Sequence, residues 1–271
     1  MKLVLISLLA AVSITAPSLG MIVAIPASDS GFFNEAGRSS KNDGVILGAA
    51  PATFNYSSGT IGEVPPLVGT DVNRRNFFTF DLSGITPGTI ASASLALYLP
   101  TDGFASPDPF EVYELAGIPA GTPGDMALFA SDLTTVYSIL VPPELGAAIG
   151  IYGALGSGPG GFGSLVVAEA DEDSMMTIPI SGAGLGYLNA FAGGPTVLTG
   201  EVTTLDLGDG IDEVVFGFTA PLITGVVSPD PAIPGPEITP TPMLVIEVIP
   251  EPTVGSLILM GLALMLRRKR D

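Results

Sequence analysis

The chain has 271 residues, nine of them basic and 27 acidic, and contains no cysteine, histidine or tryptophan. Without cysteine there are no disulfides, thiolate nucleophiles or cysteine-based metal sites; without histidine there are no Ser-His-Asp triads, zinc hydrolases or haem sites. Any catalysis would rest on carboxylates, tyrosines and a few Arg or Lys, and a sugar platform on Tyr or Phe alone.

Residues 1–20 place Lys2 before an apolar stretch, Leu3 to Ile14, followed by Pro17 and the small residues Ser18 and Gly20. This is the tripartite pattern of a secretory signal peptide, with cleavage expected between Gly20 and Met21. The competing reading is a buried N-terminal strand or helix.

Once the two ends are set aside, residues 21–250 hold four basic residues against 25 acidic ones, net −21. Such a domain repels phosphate backbones and anionic lipid, so no nucleic acid partner is expected.

From Met21 onward, short apolar runs alternate with Gly, Pro, Asn and Asp clusters. Phe78, Phe80 and Leu82 fall on one face of a strand, as do Ala93, Leu95, Leu97 and Leu99, and again Val214, Phe216 and Phe218. Further strands are predicted over Ile22–Pro26, Val45–Gly48, Phe110–Leu115, Ser164–Ala168, Met175–Ile180, Thr196–Thr203 and Met243–Ile249. One helix is predicted over Ala183–Ala192, with Leu185, Leu188 and Phe191 on one side and Gly193-Gly194 as its stop. Gly146–Gly163 reads as a mobile glycine-rich surface loop, and Ser228–Pro242, with six prolines, as a stiff extended excursion.

The pattern predicts an all-β fold: one antiparallel β-sandwich or jelly roll over residues 21–249 with one short helix, flanked by an N-terminal signal helix and a C-terminal membrane helix.

The tail places Pro250, Glu251 and Pro252 before an apolar run from Val254 to Leu266, then Arg267, Arg268, Lys269 and Arg270. An apolar segment followed by a basic cluster reads as a membrane anchor with its terminus in the cytoplasm. Thr253–Leu266 is 14 residues. As a helix that is about 21 Å, against a hydrocarbon core of roughly 30 Å, so the segment suits transient anchoring better than permanent residence.

This Pro-Glu-Pro motif, apolar segment and basic cluster resemble the PEP-CTERM sorting signal, which covers residues 250–271. The resemblance implies recognition by an exosortase-type transpeptidase, transient anchoring in the inner membrane, and delivery to the cell surface or exopolysaccharide matrix. The body, notably Arg75-Asn76-Phe77-Phe78-Thr79-Phe80-Asp81-Leu82-Ser83-Gly84, is similar to PEP-CTERM cargo proteins and to DNRLRE-type jelly-roll domains, some of which bind carbohydrate. Exopolysaccharide is therefore an expected partner, and the resemblance assigns no catalytic residue.

Two acidic clusters and one pair of arginines compete for attention. Glu169, Asp171, Glu172 and Asp173 could chelate calcium if 169, 171 and 173 shared a strand face; a solvated hairpin tip is the favoured reading. Asp206, Asp209, Asp212 and Glu213 do not have EF-hand spacing, and Asp209-Gly210 is more simply a turn, with calcium as the alternative. Arg74 and Arg75 are the cations of the domain's centre; Arg75 is expected to pair with Asp81 or Glu213 rather than grip a sugar. No spacing selects a pair of carboxylates for glycoside hydrolysis. The leading expectation is a non-enzymatic structural or adhesive surface protein without a resident cofactor, ahead of a carbohydrate-binding module and of a carboxylate-dependent glycan hydrolase or lyase.

Overall fold

The computed structural model describes residues 20–35, 39–41, 56–62, 71–119, 152–206, 212–216 and 241–249. Residues 22–248 make one compact unit. The expected signal and tail helices, the expected strand Val45–Gly48 and the proline-rich segment up to residue 240 lie outside the described residues.

The fold is all-β, built of two antiparallel sheets. Sheet A has the order β1 (Met21–Pro26), β12 (Met243–Val248), β6 (Ile90–Leu99) and β9 (Ser174–Pro179). Sheet B runs β11 (Glu213–Val215), β4 (Ser58–Gly62), β5 (Asp71–Asp81), β10 (Pro195–Val202), β7 (Glu111–Gly117) and β8 (Gly163–Val167). A further pair, β2 (Asp29–Asn34) and β3 (Ser39–Lys41), joins sheet B through β5. Arg74 is paired with Asn34 of β2 and also with Gly59 of β4, so these strands flank β5 on opposite edges. From Asn76 onward β10 takes over the edge that β4 leaves.

Phe78 and Phe80 of sheet B and Leu95 and Leu97 of sheet A are fully buried in a common core, as their alternation predicts, together with Ile178, Leu244 and Ile246. Burying each such side chain contributes about 1.5–3 kcal/mol. The alternation fails at β11. Val215 and Phe216 join the core, whereas Val214 is buried outside it, because the strand ends at Val215 and Phe216 takes a left-handed φ of 57°. Phe218 lies outside the described residues.

Inside the core the tyrosines bring polar groups that must be matched. The Tyr113 hydroxyl donates to Asn76 Oδ1 at 2.7 Å, and Asn76 Nδ2 donates to the Tyr56 carbonyl at 2.8 Å. The Tyr56 hydroxyl in turn donates to the Tyr98 carbonyl at 2.8 Å, which ties sheet B to sheet A. Gly200 makes room for this network: a Cβ there would lie 1.8 Å from the Tyr113 hydroxyl oxygen.

Helix α1 spans Gly182–Phe191, one residue earlier than predicted, because the Ser181 side chain accepts from the Gly184 N–H and caps it. Leu188 is buried as expected, while Leu185 and Phe191 only partly cover the core. Tyr187 turns inward instead and donates to the Val197 carbonyl at 2.9 Å.

The glycine-rich stretch is a packed strap where it is described. Residues 152–155 are helical. Leu155 is buried, its carbonyl accepts from the Thr199 hydroxyl, and the Pro159 carbonyl accepts from the Gly117 N–H. Gly158 lies so close to the Gly117 carbonyl that a Cβ would sit 1.6 Å from its oxygen. Gly156, Gly158 and Gly163 thus serve close approach, with Arg75, the Gly117 carbonyl and the Pro179 carbonyl in the space a Cβ would need, and the strap lies on the outer face of sheet B at Arg75 and Thr199. Phe77, on the outer side of β5, is as buried as Phe78, and its ring lies 5.5 Å from that of Phe33 on β2.

β1 lies beside β12, and the Ala27 N–H donates to the Pro242 carbonyl at 2.8 Å. The two strands are therefore antiparallel, and residues 22–248 begin and end at the same end of sheet A. Val248 is paired there with Ile90 of β6. Among the described residues no helix is long and apolar enough to cross a membrane.

Candidate functional site

β6 carries the chain from Ile90 to Leu99, about 30 Å in an extended strand. Beyond Leu99, the segment from Pro100 to Pro109 bends over the sandwich and opens a cleft of about 720 Å³, lined by Phe104, Ser106, Asp108, Glu169 and Asp212 among others. Its position is set by a backbone bridge and a side-chain bond. Ala105 and Val214 form an isolated antiparallel bridge, and the Phe104 N–H donates to Glu172 at 3.0 Å.

The cleft is anionic. Carboxylate oxygens of Asp108, Asp206 and Glu213 lie within 4.8 Å of one another, with Glu213 buried and the two aspartates exposed. Glu213 Oε2 accepts from the Asp206 N–H at 2.7 Å, which binds the loop after β10 to β11. Next to them Glu111 is fully buried at the start of β7, and the hydroxyls of Ser106 and Thr204 donate to its two oxygens. Three oxygens of this kind could serve a hard cation such as calcium, which takes six to eight, water supplying the rest.

Of the second acidic cluster expected from sequence, Asp206 and Glu213 meet in this cleft and Asp212 lines it; Asp209 lies outside the described residues. Asp108 and Glu111 were not singled out. Asp108 stands between Pro107 and Pro109 and Glu111 opens a strand, with no local pattern to mark either, and Asp108 meets Asp206 and Glu213 from far along the chain.

The first acidic cluster does not alternate on a strand. Glu169–Asp171 is a 3-10 turn, and the segment joins β8 of sheet B to β9 of sheet A, so it is a crossing between sheets rather than a hairpin tip. Its acids are engaged separately. Asp171 accepts from the Ala168 N–H at 3.0 Å, Glu172 from Phe104, and Asp173 from the Tyr98 hydroxyl.

Arg75 pairs with neither Asp81 nor Glu213. Its Nε donates to Glu201 at 2.6 Å, Nη1 donates to the Tyr152 carbonyl at 3.3 Å, and the guanidinium lies 4.4 Å from the Tyr152 ring centroid. Both it and Glu201 point to the outer face of sheet B, where they hold the strap, while Asp81 turns back to accept from the Ser83 N–H at 2.9 Å. That bond holds the Asp81 carboxyl below the ordinary carboxylate value. Arg74 faces inward, over the Phe32 ring at 4.5 Å, and donates to Ser57. Burial pushes the hydroxyls of Tyr56 and Tyr113 far up, and those of Tyr152 and Tyr187 up as well.

Gly20 is exposed, and Met21 opens β1 with 56% of its surface exposed. Pro250, Glu251, Pro252, Arg267, Arg268, Lys269 and Arg270 lie outside the described residues. The sequence matches no protein-family profile and no curated protein.

Proposed function

We propose that this chain is an exported cell-surface or extracellular-matrix protein, structural or adhesive and non-enzymatic, sorted through its C-terminal PEP-CTERM signal. The observation that carries the reading is the order Pro250-Glu251-Pro252, apolar segment, Arg267-Arg268-Lys269-Arg270 at the end of an otherwise acidic chain. The basic cluster resists translocation and stays in the cytoplasm, which sets the Pro-Glu-Pro motif at the outer side of the inner membrane. There an exosortase-type transpeptidase would meet it.

The fold supports this reading in two ways. β12 ends at Val248, two residues before Pro250, so the motif is tethered directly to the domain with no long linker. Glu111 and Glu172 accept hydrogen bonds from the domain's own hydroxyls and the Phe104 N–H, which is the use a structural domain makes of its acids. In this reading the two-sheet body is a jelly roll, the signal peptide is removed between Gly20 and Met21, and the tail holds the protein only until cleavage near Pro252.

Mass spectrometry of the protein from wild-type cells and from cells lacking the exosortase tests the proposal. Surface protein from wild-type cells should begin at Met21 and lack Arg267–Arg270, and the basic tail should persist without the exosortase. Mature surface protein that keeps Arg267–Arg270 in wild-type cells would refute processing.

A further inference from the structure

The two ends of sheet A differ in charge. Beyond Leu99, at one end, lies the cleft with Asp108, Glu169 and Asp212. At the other end β6 begins at Ile90, β12 stops at Val248 and β1 starts at Met21. Asn189 of α1 accepts from the Ile90 N–H and donates to the Ile90 carbonyl, each at 3.0 Å, and the Leu82 N–H donates to the Gly194 carbonyl at 2.9 Å. The β5–β6 connection and the end of α1 therefore gather there too. Residues 20–22, 82–90, 189–195 and 248–249, which make up this end, hold no Asp, Glu, Lys or Arg. Met21, Ile22 and Ile249 are 56%, 74% and 43% exposed. The acids that border it are engaged: Asp81 accepts from the Ser83 N–H and Glu247 from the Ser92 hydroxyl.

We propose that this end of the domain seats on a phospholipid bilayer while the tail anchors the chain. The inference rests on the anchoring step of the sorting proposal and adds to it a contact made by the folded domain itself. Chain length selects the occupant. The apolar run starts at Val254, six residues past Val248, and six extended residues reach about 20 Å. With the run in the bilayer, this end of sheet A is held within that reach of hydrocarbon, and the cleft lies at the far end of β6, about 30 Å away.

Charge selects the face. Residues 21–250 carry net −21 and anionic headgroups repel acids, so the body approaches them only through a surface without acids. The exposed side chains of Met21, Ile22 and Ile249, at the point of attachment, then leave water for the headgroup boundary. So small an apolar contact is weak by itself, and the tether sustains it by raising the local concentration. Cleavage near Pro252 removes the tether, and the domain then leaves the surface.

The absence of cysteine makes the test direct. Chain that keeps its tail, purified from the membranes of cells lacking the exosortase, is placed in vesicles of phosphatidylethanolamine and phosphatidylglycerol that include a lipid spin-labelled near its headgroup. A fluorophore sits on Ile22→Cys or Thr86→Cys at this end, on Phe110→Cys, exposed beside the cleft, or on Ala263→Cys in the tail. Lipid quenching at Ile22→Cys and Thr86→Cys should exceed that at Phe110→Cys roughly three-fold or more. Adding Gly84→Asp and Thr86→Asp to Ile22→Cys should bring its quenching down to the Phe110→Cys level and leave that of Ala263→Cys unchanged. Both positions are exposed, and nothing lies within 4 Å of a Cβ added at Gly84. Quenching at Ala263→Cys, with Ile22→Cys and Thr86→Cys no more quenched than Phe110→Cys, overturns the docking and leaves the anchor standing, whether this end is bare or covered by a second copy. No quenching at Ala263→Cys refutes the anchor and the docking with it. Quenching at Ile22→Cys that the two aspartates leave unchanged means an end held near the surface by its tether alone, and overturns the docking.

Discussion

Replacing Gly200 with alanine adds one methyl group to β10, and the structure sets its cost. The new Cβ would lie 1.8 Å from the Tyr113 hydroxyl oxygen, 2.2 Å from Tyr113 Cζ and 2.7 Å from Asn76 Oδ1. None of these can yield freely, because Tyr113 and Asn76 are fully buried in the core. Tyr113 must move, and the bond from its hydroxyl to Asn76 is lost. Overpacking costs about 1–3 kcal/mol and an unmatched buried polar group about 1–3 kcal/mol, so Gly200→Ala should destabilise by roughly 3–5 kcal/mol. Against a total of about 5–15 kcal/mol this is a large fraction. Gly186 is the internal control. It is exposed in α1 with nothing within 4 Å of an added Cβ, and Gly186→Ala should stabilise by about 0.5–1 kcal/mol. Equilibrium urea unfolding followed by circular dichroism on residues 21–249 measures both. A Gly200→Ala cost below about 1 kcal/mol would mean that the Tyr113 hydroxyl does not lie over β10, and would refute the register that pairs Gly200 with Leu115 and Asn76.

Two further outcomes follow from the packing. Arg75→Ala removes the pin of the strap, so amide exchange over residues 152–163 should rise at least ten-fold while that of β6 is unchanged; equal exchange in both would contradict a pinned strap. Burial raises the folded-state pKa of Tyr56 and Tyr113 above the ordinary value near 10, so their contribution to stability is fully present below that value and declines as pH rises above it. Absorbance at 295 nm should then show these two hydroxyls ionising only as the domain unfolds in alkali, and their titration near pH 10 in still-folded protein would contradict their burial.

Much of the sandwich was legible in the sequence because period two survives wherever one face of a strand meets the core and the other meets solvent. Phe78, Phe80, Leu95 and Leu97 were placed correctly for that reason, and α1 was found from its apolar spacing and glycine stop. β2, β3 and β4 were missed; Ser58-Gly59-Thr60 and Ser39-Ser40-Lys41 carry no apolar alternation and are strands because β5 and β2 offer ladders. Arg75 was given the wrong partner because Asp81 and Glu213 looked near in sequence or in charge, whereas Glu201 reaches it only through the pairing of β10 with β5.

By itself the sequence determined the all-β class, the heavy acid excess, the chemistries excluded by missing cysteine and histidine, and the order of motif, apolar segment and basic cluster in the tail. These are local or compositional properties, and they do not depend on how the chain folds back. Tertiary structure alone decided which acids share a cleft, since Asp108 meets Asp206 and Glu213 only where the end of β6 arches over β11. It also decided that a glycine-rich stretch is a packed strap. Gly156 and Gly158 sit where a guanidinium and a carbonyl leave no space for a Cβ, and that requirement is visible only from the opposite side of the contact.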